Sequence, residues 1–472
     1  MKLAVLSDIH YYSPSLGTSG SAFQKRERMC QYFLRESGAI VNSAIDEILS
    51  SDADAVLIAG DLTNNGEKVC HEELATMLSR LSEKKPVYVI YATHDWCSDG
   101  CPRRFDGDNV YHDVETMTPD ELAEFYFTFG RNRSQSEFVH ENGSVSYFVK
   151  LSDKIGLLCL NDDKNGKGKA GLTAEQRCWI REICRDCEQV IAMQHHLIMP
   201  GMSCLVNGGQ IIGDAAEIRD FYRECGIKFV IVGHSHMQRI SEEKGLYQIN
   251  IGALTGHPCS VTYLTVEDGK ILADMTNRLE FDFEGKHYRS DDVKSKTTRQ
   301  VRDILRDMSD SKEKFITSLD ELGIHIKKLP VPNKIVTAIG KRLYNGNVKD
   351  VLGVINRLLR FTDKKDIREL ADDRFLDYVE TLYLSVFDGS VTVFPEDSAV
   401  YNIVTGIGKL PVRLKRLPVK MFRTEKFDEI CKGISEAAEK ICLPEFDAEK
   451  SLVDTKSCYA QKMTDKLSER TL

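Results

Sequence analysis

The chain of 472 residues contains no run of about 18 apolar residues, the length that a membrane-spanning helix needs. No basic segment followed by a short apolar stretch precedes the first predicted strand, so we expect no signal peptide and a cytoplasmic location. A basic excess is also missing, because 63 basic residues stand against 72 acidic ones and the formal charge is -9. These absences argue against a membrane protein and against a general nucleic-acid-binding surface.

Two further local signals are missing. The glycine-rich stretch from Asn165 to Lys169 lacks the Gly-Lys-Ser/Thr ending of a phosphate-binding Walker loop, so we expect a solvated turn there. Cys184 and Cys187 form a Cys-x-x-Cys pair without a second pair nearby, in a helix that we predict from Thr173 to Val190. A helix face explains this pair better than a zinc or redox site, and we expect the 14 cysteines to remain thiols in a reducing compartment.

The stretch from Lys2 to His10 is where the sequence first suggests chemistry. Leu3 to Leu6 predict a short buried strand, which is followed by polar residues that include Asp8 and His10. Side chains two residues apart on an extended chain point to the same side, so this carboxylate and imidazole could hold one metal ion. Taken alone, the pattern is better explained as an ordinary strand end with polar residues.

The same pattern recurs at later strand ends. Apolar runs separated by helical segments predict parallel strands, whose carboxyl ends meet at one edge of a sheet where ligands collect. Five of the 12 histidines lie at this predicted edge. The polar residues there are, in chain order, Asp8, His10, Asp61, His94, His195, His234 and His236.

Carboxylate and imidazole ligands together suit divalent Mn, Fe or Zn. Two such ions about 3.5 to 4 Å apart can bind a bridging hydroxide and polarise a phosphoryl oxygen for in-line displacement. The sequence therefore predicts two divalent metal ions and hydrolysis of a phosphoester.

The ordered motifs resemble those of the calcineurin-like metallophosphoesterases over roughly residues 1–285. They are Asp8-Ile9-His10, Gly60-Asp61, Ala92-Thr93-His94-Asp95, His195-His196 and Gly233-His234-Ser235-His236. The resemblance implies a first metal held by Asp8, His10 and His236, and a second held by His195 and His234, with Asp61 bridging. It also implies that His94 is the catalytic histidine, which contacts the phosphate and assists the leaving oxygen.

The chain departs from the family pattern at Thr93, where the family has an asparagine that binds the second metal, and at Ala92, where it has a glycine. A threonine hydroxyl is a poorer ligand than an amide carbonyl, so the second site is expected to be weak, differently coordinated or completed by water. His196 is the ambiguous neighbour of His195. Motif position favours His195 as the ligand and leaves His196 a packing or supporting role.

Other polar residues have weaker assignments. Arg103 and Arg104 lie in a long insertion, residues 96–140, that we expect to be a lid or a substrate-facing loop. The two arginines would either clamp a substrate phosphate or belong to a solvated loop. Asp95 is expected to cap the backbone after His94, and Asn161 and Asp162 to contact the ligands from behind.

We predict an α/β fold: a metallophosphoesterase-type β-sandwich flanked by helices over residues 1–288, and an all-helical C-terminal domain with a polar tail over 289–472. The motif set is similar to that of the cyclic-nucleotide phosphodiesterase branch of the family, and this resemblance implies hydrolysis of phosphodiesters, including cyclic nucleotides. A phosphomonoesterase or protein phosphatase is the first alternative. A non-catalytic metal-binding scaffold is the second, because of Thr93. The helical domain would cover the active site or mediate partnering.

Overall fold

The computed structural model describes residues 1–163, 170–203, 207–267, 269–321, 331–388, 394–395, 397–411, 425–442 and 451–453. The glycine-rich stretch from Asn165 to Lys169 lies outside the described residues, as does most of the predicted polar tail. Within the described part of the chain, each helix is too short or too polar to cross a membrane.

Most of the strands belong to two sheets. In chain order the strands are β1 (Lys2–Leu6), β2 (Ala55–Ala59), β3 (Val87–Ile90), β4 (Arg104–Asp106), β5 (Asn109–Tyr111), β6 (Ser136–Val139), β7 (Val145–Lys150), β8 (Ile155–Cys159), β9 (Gln189–Met193), β10 (Phe229–Val232), β11 (Arg239–Glu243), β12 (Leu246–Asn250), β13 (Ser260–Glu267), β14 (Lys270–Arg278), β15 (Phe281–Phe283), β16 (Lys286–Tyr288) and β17 (Ser451–Val453). The first sheet has the order β17-β14-β13-β1-β2-β3, and the second has the order β11-β12-β10-β9-β8-β7-β6.

The centre of each sheet is parallel. β1, β2 and β3 pair in parallel, with Leu3 opposite Ala55 and Val56 opposite Val87. In the second sheet, β8 pairs with β9, β9 with β10 and β10 with β12 in the same way. The carboxyl ends of the central strands in each sheet therefore lie at one edge, as the sequence predicts for β1 to β3.

The two sheets pack face to face as a sandwich. Leu3 and Val5 of β1 and Leu57 of β2 share one buried cluster with Ile191 of β9 and Ile231 of β10. Alternate residues of a strand point to opposite faces, and Ala4 and Leu6 accordingly join a different cluster, on the outer face of the first sheet. Burial of each large aliphatic side chain contributes about 1.5–3 kcal/mol, so this double core fixes the positions of the strand ends.

Helices cover both outer faces of the sandwich and make up most of the region after β16. In chain order they are α1 (Gly20–Met29), α2 (Ser37–Ser50), α3 (Lys68–Ser82), α4 (Pro119–Phe125), α5 (Ala174–Ile183), α6 (Ala215–Glu224), α7 (Ser290–Asp310), α8 (Lys312–Glu321), α9 (Asn333–Asn345), α10 (Val348–Leu359), α11 (Lys364–Glu369), α12 (Phe375–Phe387), α13 (Ala399–Gly408) and α14 (Glu425–Cys442). Side chains of α2 and α3 pack in the cluster on the first sheet, and those of α5 and α6 in the cluster on the second.

The C-terminal region is helical with its own small core, to which α10, α11 and α13 contribute Val351, Leu352, Ile367 and Ile403. It is not all-helical, however, because β17 pairs antiparallel with β14 and so adds an edge strand to the first sheet. Three residues are too few to give a strand signal in the sequence, and the pairing is set by the edge that β14 leaves open.

Three other details differ from the sequence predictions. From the sequence we expect the segment from Lys270 to Phe283 to form a closing hairpin. This expectation is wrong, because β14 pairs with β13 while β15 pairs with β16. The helix predicted from Thr173 ends at Ile183, so Cys184 begins a short 3-10 turn and the cysteine pair is not on a helix face. In α10 the helical spacing of Val351, Val354, Ile355, Leu358 and Leu359 predicts one buried stripe. Leu358 is nevertheless 77% exposed, because the core contacts the other side of that turn.

Candidate metal centre

Asp8, His10 and His236 converge beyond the ends of β1 and β10. The Nε2 atom of His236 lies 3.0 Å from Nε2 of His10 and 3.4 Å from Oδ1 of Asp8. His10 Nε2 lies 3.9 Å from the same oxygen of Asp8. Two ligands held about 2.1 Å from one ion at angles of about 90–110° lie about 3.0–3.4 Å apart. The two distances from His236 fall in this range and the distance from His10 to Asp8 is longer, so the three atoms could share one ion at a wider angle between His10 and Asp8.

Asp61, His195 and His234 form a second ligand group, with ligand atoms within 4.8 Å of one another. Oδ2 of Asp61 lies 3.1 Å from Nε2 of His195. The same oxygen lies 4.0 Å from Nε2 of His10 in the first group. Asp61 therefore faces both groups, which is the position that a carboxylate bridging two ions requires.

Hydrogen bonds to the far side of the rings show which nitrogen faces the centre. Nδ1 of His195 donates to the carbonyl of Ala59 at 2.8 Å, so Nε2 is the atom that faces Asp61. The Nε2 atoms of His10 and His236 also face each other. Either a proton on one of these nitrogens or a cation has to lie between them, because two lone pairs repel each other in a buried site. Neutral imidazoles with carboxylates are a donor set that divalent metals satisfy, so these residues fit the two ions.

The protonation states agree with this reading. Burial lowers the pKa of His10, and it lowers the pKa of His234 to about 3, so both rings are neutral and able to bind a metal. Burial alone would raise the pKa of Asp8, but the hydrogen bond and charge of His236 lower it to about 2. Burial would lower the pKa of His195, but the charge of Asp61 outweighs burial and raises it. A bound metal ion would take the place of the proton that His195 then carries.

The backbone at the ligand groups is strained. A left-handed conformation costs a non-glycine residue about 1–2 kcal/mol, and strain of this kind clusters at functional sites. Five of the six residues in the two groups adopt it, with φ of 49° at Asp8, 46° at His10, 50° at Asp61, 66° at His234 and 58° at His236. Turns of this type at the strand ends direct the side chains toward the centre of the two groups. The identity of the residues alone does not predict such turns.

Two glycines make room for the ligands. Gly60 has φ of 87°, and a Cβ atom there would lie 2.7 Å from Nδ1 of His195. At Gly233 a Cβ atom would lie 2.6 Å from Oδ2 of Asp8 and 2.0 Å from Oγ of Ser7. The Gly-Asp and Gly-His motifs thus need glycine because ligand side chains pass directly over the backbone.

His94 lies beside both groups but belongs to neither. Its Nδ1 donates to the carbonyl of Asn64 at 2.7 Å, and its ring centroid lies 5.1 Å from that of His10. Its backbone N–H faces Oδ1 of Asp61 at 3.4 Å. The ring is therefore fixed on one side, with Nε2 left for another partner. The neighbouring Thr93 is half-buried, and its carbonyl accepts the N–H of Ser98 at 3.0 Å.

His196 lies apart from the second ligand group, in a cluster with Asp162 and Asp163. Asp162 accepts hydrogen bonds from the backbone N–H of His196 at 2.8 Å and from its Nδ1 at 3.0 Å. The ring centroid of His196 lies 4.4 Å from that of His234. Asp162 thus holds the ring of His196 beside that of His234. Asp163 was not identified from the sequence, because only its position after a strand pointed to it.

The remaining candidates are held in other interactions. Asp95 is buried and accepts the N–H groups of Thr63 at 2.9 Å and Ala92 at 2.8 Å, as a backbone cap does. Arg104 forms a two-point ion pair with Asp113 in the β4–β5 hairpin. Arg103 contacts Asn65 at 3.1 Å and Asp99 at 3.3 Å, close to the loop that carries His94.

Tyr32 is a site residue that the sequence did not single out. Its ring stacks on His10 with a centroid distance of 4.5 Å and an interplanar angle of 12°. Its hydroxyl donates to Oδ1 of Asn64 at 3.0 Å, the residue whose carbonyl holds His94. Tyr32 follows α1 in a loop without periodicity, so no pattern in the sequence could have identified it.

Comparison with known proteins gives a family match. A model of the calcineurin-like phosphoesterase family matches residues 1–238 of the 472-residue chain. No curated protein matches the chain at a significant level.

Several solved structures resemble parts of the chain at low identity. A dimetal phosphatase from Danio rerio aligns with 61% of this chain and 99% of its own at 13% identity and a TM-score of 0.43. A purple acid phosphatase from seeds of yellow lupin (Lupinus luteus) aligns with 61% of this chain and 52% of its own at 13% identity and a TM-score of 0.36. Wild-type Vps29 from Entamoeba histolytica, complexed with zinc, aligns with 61% of this chain and 96% of its own at 14% identity and a TM-score of 0.23. At these TM-scores the family assignment rests on the family match alone.

Proposed function

We propose that this chain, which belongs to the calcineurin-like phosphoesterase family, is a metal-dependent phosphohydrolase whose substrates are phosphodiesters. The observation that carries the proposal is the position of Asp61. One of its carboxylate oxygens lies 3.1 Å from His195 and 4.0 Å from His10, so one side chain connects the two ligand groups. A pair of metals so connected acts on both the attacking and the leaving oxygen of a phosphoester.

We assign the ligands by their groups: Asp8, His10 and His236 for one ion, His195 and His234 for the other, and Asp61 for both. When bound, the two ions would supply the nucleophile and polarise a phosphoryl oxygen. The chain's own residues fix the geometry, because Ala59 orients His195 and the strained turns hold the carboxylates inward.

His94 is our candidate for the residue that assists the leaving group. The Asn64 carbonyl accepts from its Nδ1, which leaves Nε2 to donate to a phosphoryl or leaving oxygen when the ring is protonated. Because the ring is anchored by a backbone carbonyl, it loses little freedom when a substrate binds.

The positions of Arg103 and Arg104 favour a diester over a monoester. A phosphate monoester carries an extra negative charge that arginines commonly clamp in a two-point contact. Here Arg104 already makes such a contact with Asp113, and Arg103 is shared between Asp99 and Asn65. A singly charged diester needs no such clamp beyond the two metals.

The experiment is elemental analysis of the purified chain, together with hydrolysis of bis-p-nitrophenyl phosphate and p-nitrophenyl phosphate with added Mn. We expect close to two metals per chain and faster turnover of the diester. Faster turnover of the monoester would replace the diesterase by the phosphomonoesterase or protein phosphatase alternative.

Thr93 motivates one competing function, a non-catalytic scaffold that retains a single metal. The hydroxyl of Thr93 stands where the family has an amide ligand, so the second ion would have one strong ligand fewer. One metal per chain and no turnover of either ester, even with excess Mn, would establish this function instead.

A further inference from the structure

A cleft of about 760 Å³ lies beside the first ligand group, between the loop that follows α1 and the helices α7 and α12. His236 lies at one end of it, and the side chain of this ligand is 20% exposed. Small-molecule sites in proteins are typically about 300–1,000 Å³. The cleft is therefore large enough to hold the organic part of a small phosphoester next to the metal centre.

The walls of the cleft come from both halves of the chain and are tied together. Nε2 of Gln31 donates to the hydroxyl of Tyr383 on α12 at 2.8 Å. Nε2 of Gln300 on α7 donates to the carbonyl of Met29 at 2.5 Å. Arg302 and Glu380 form a two-point ion pair that joins α7 to α12. The cleft is thus preformed, which lowers the entropic cost of binding a ligand in it.

Two lining residues connect the cleft to the catalytic groups. Tyr32 lines the cleft, stacks on His10 and donates its hydroxyl to Asn64. Arg26 also lines it and donates to the same Asn64 oxygen at 3.3 Å. Since the carbonyl of Asn64 holds His94, Asn64 links the wall of the cleft to the proposed catalytic histidine.

The lining determines which chemistry fits. Its charged side chains among the described residues, apart from His236, are Arg26 and Asp320, one of each sign. Two phenols and two amides line it, each of which already makes one of the hydrogen bonds given above and keeps capacity for another, and Met29, Val301 and Ile304 offer apolar contact. Phenols and amides bind neutral donors and acceptors, and aromatic rings stack on flat rings.

We propose that this cleft holds the non-leaving ester group of a phosphodiester, and that this group is uncharged, ring-bearing and hydrogen-bonding, of the size of a nucleoside. The inference rests on the proposed diesterase function and adds the substrate class. It makes the helical region a determinant of specificity, because Gln300, Ile304 and Tyr383 all come from it.

The test uses two diesters with the same leaving group, thymidine 5′-monophosphate p-nitrophenyl ester and methyl p-nitrophenyl phosphate, on the full chain with Mn. Wild type should prefer the nucleoside ester, in kcat/KM, by about tenfold or more. Ile304→Trp fills the cleft and should lower the ratio of the two kcat/KM values by about tenfold. Ser295→Trp places the same bulk at an exposed position of α7 and should leave the ratio unchanged.

The outcomes separate the two proposals. If wild type hydrolyses neither diester, the diesterase function fails and this inference with it. If wild type hydrolyses both but Ile304→Trp leaves the ratio unchanged, the function stands and the cleft assignment is wrong. Should Ile304→Trp fail to fold, Val301→Phe adds less bulk at another lining position, and an unchanged ratio in that variant likewise overturns the assignment.

Discussion

The backbone N–H of Gln238 donates to the carbonyl of Phe387 at 2.7 Å, which ties the loop carrying His234 and His236 to the last turn of α12. Next to this contact, buried Asp388 pairs with Arg278 of β14, and its Oδ2 atom lies 3.6 Å from Nε2 of His257. The helical region is therefore part of the support of the metal centre. A chain cut near residue 290 would lose that support along with the cleft wall, so point variants are sharper tests of the region.

Asp388→Ala should destabilise the chain by about 2–4 kcal/mol, because it leaves the Arg278 guanidinium without its carboxylate at a largely buried contact. The measurement is urea unfolding, with metal content determined on the same samples. Asp377→Ala on the same helix is the control, because its carboxyl is 66% exposed and makes only a 3.8 Å pair with Arg374. Equal stability of the two variants would show that the contact with α12 does not support the loop.

Gly60→Ala should displace His195 and lower the metal content toward one ion per chain. A Cβ atom at this position would lie 2.7 Å from Nδ1 of His195, closer than real contacts allow. Gly285→Ala is a matched control, since Gly285 has a φ of 79° and no heavy atom within 4 Å of a Cβ atom. Both variants carry a backbone penalty of about 1 kcal/mol, so only the clash distinguishes them. Two metals per chain in Gly60→Ala would show that the added methyl group displaces no ligand of the second ion.

Much of the site could be predicted from the sequence, because apolar runs ending in Asp or His mark the carboxyl ends of parallel strands. Asp8 and Asp61 follow β1 and β2, which pair directly, so their proximity follows from strand order. The position of His195 against Ala59 depends on how the second sheet packs on the first, which no local pattern encodes. The stacking of Tyr32 on His10 and the contact between Gln238 and Phe387 depend on packing between distant segments, so the sequence could not predict them either.

The stability of the chain should fall as the pH drops from about 6.5 to 4, in part because of His71. Burial lowers the pKa of His71 to about 4, and its ring contacts the carbonyl of Asp95 at 2.7 Å and the hydroxyl of Tyr126 at 2.9 Å. Between these pH values the unfolded chain binds a proton at this histidine and the folded chain does not, so stability rises with pH in this window. The group contributes a slope of about 1.4 kcal/mol per pH unit.

His71→Gln removes this titration, so its stability should depend less steeply on pH than that of wild type. Urea unfolding at several pH values between 4 and 7 measures the difference. Identical slopes for wild type and variant would mean that His71 is protonated equally in the folded and unfolded states.

His94→Ala and Asp61→Asn should separate catalysis from metal binding. His94 lies outside both ligand groups, so His94→Ala is expected to keep the metals and lose most turnover, about 100-fold or more for a group that acts on the leaving oxygen. Asp61 faces both groups, so Asp61→Asn should lose metal as well as turnover. Elemental analysis and bis-p-nitrophenyl phosphate hydrolysis report the two effects. Wild-type turnover by His94→Ala would show that the assigned role is wrong.

Thr93→Asn should strengthen the second metal site. Thr93 stands at the family's amide-ligand position, and an amide carbonyl is a better neutral ligand than a hydroxyl. We expect the variant to retain its second metal at a chelator concentration that removes this metal from wild type. Thr93→Val is the matched control, because it keeps the shape of threonine without the hydroxyl. If Thr93→Val binds the second metal as wild type does, the hydroxyl is not a ligand. If Thr93→Asn then gains no affinity either, His195, His234 and Asp61 hold the ion without help from this position, and the departure from the family pattern has no effect on the metal centre.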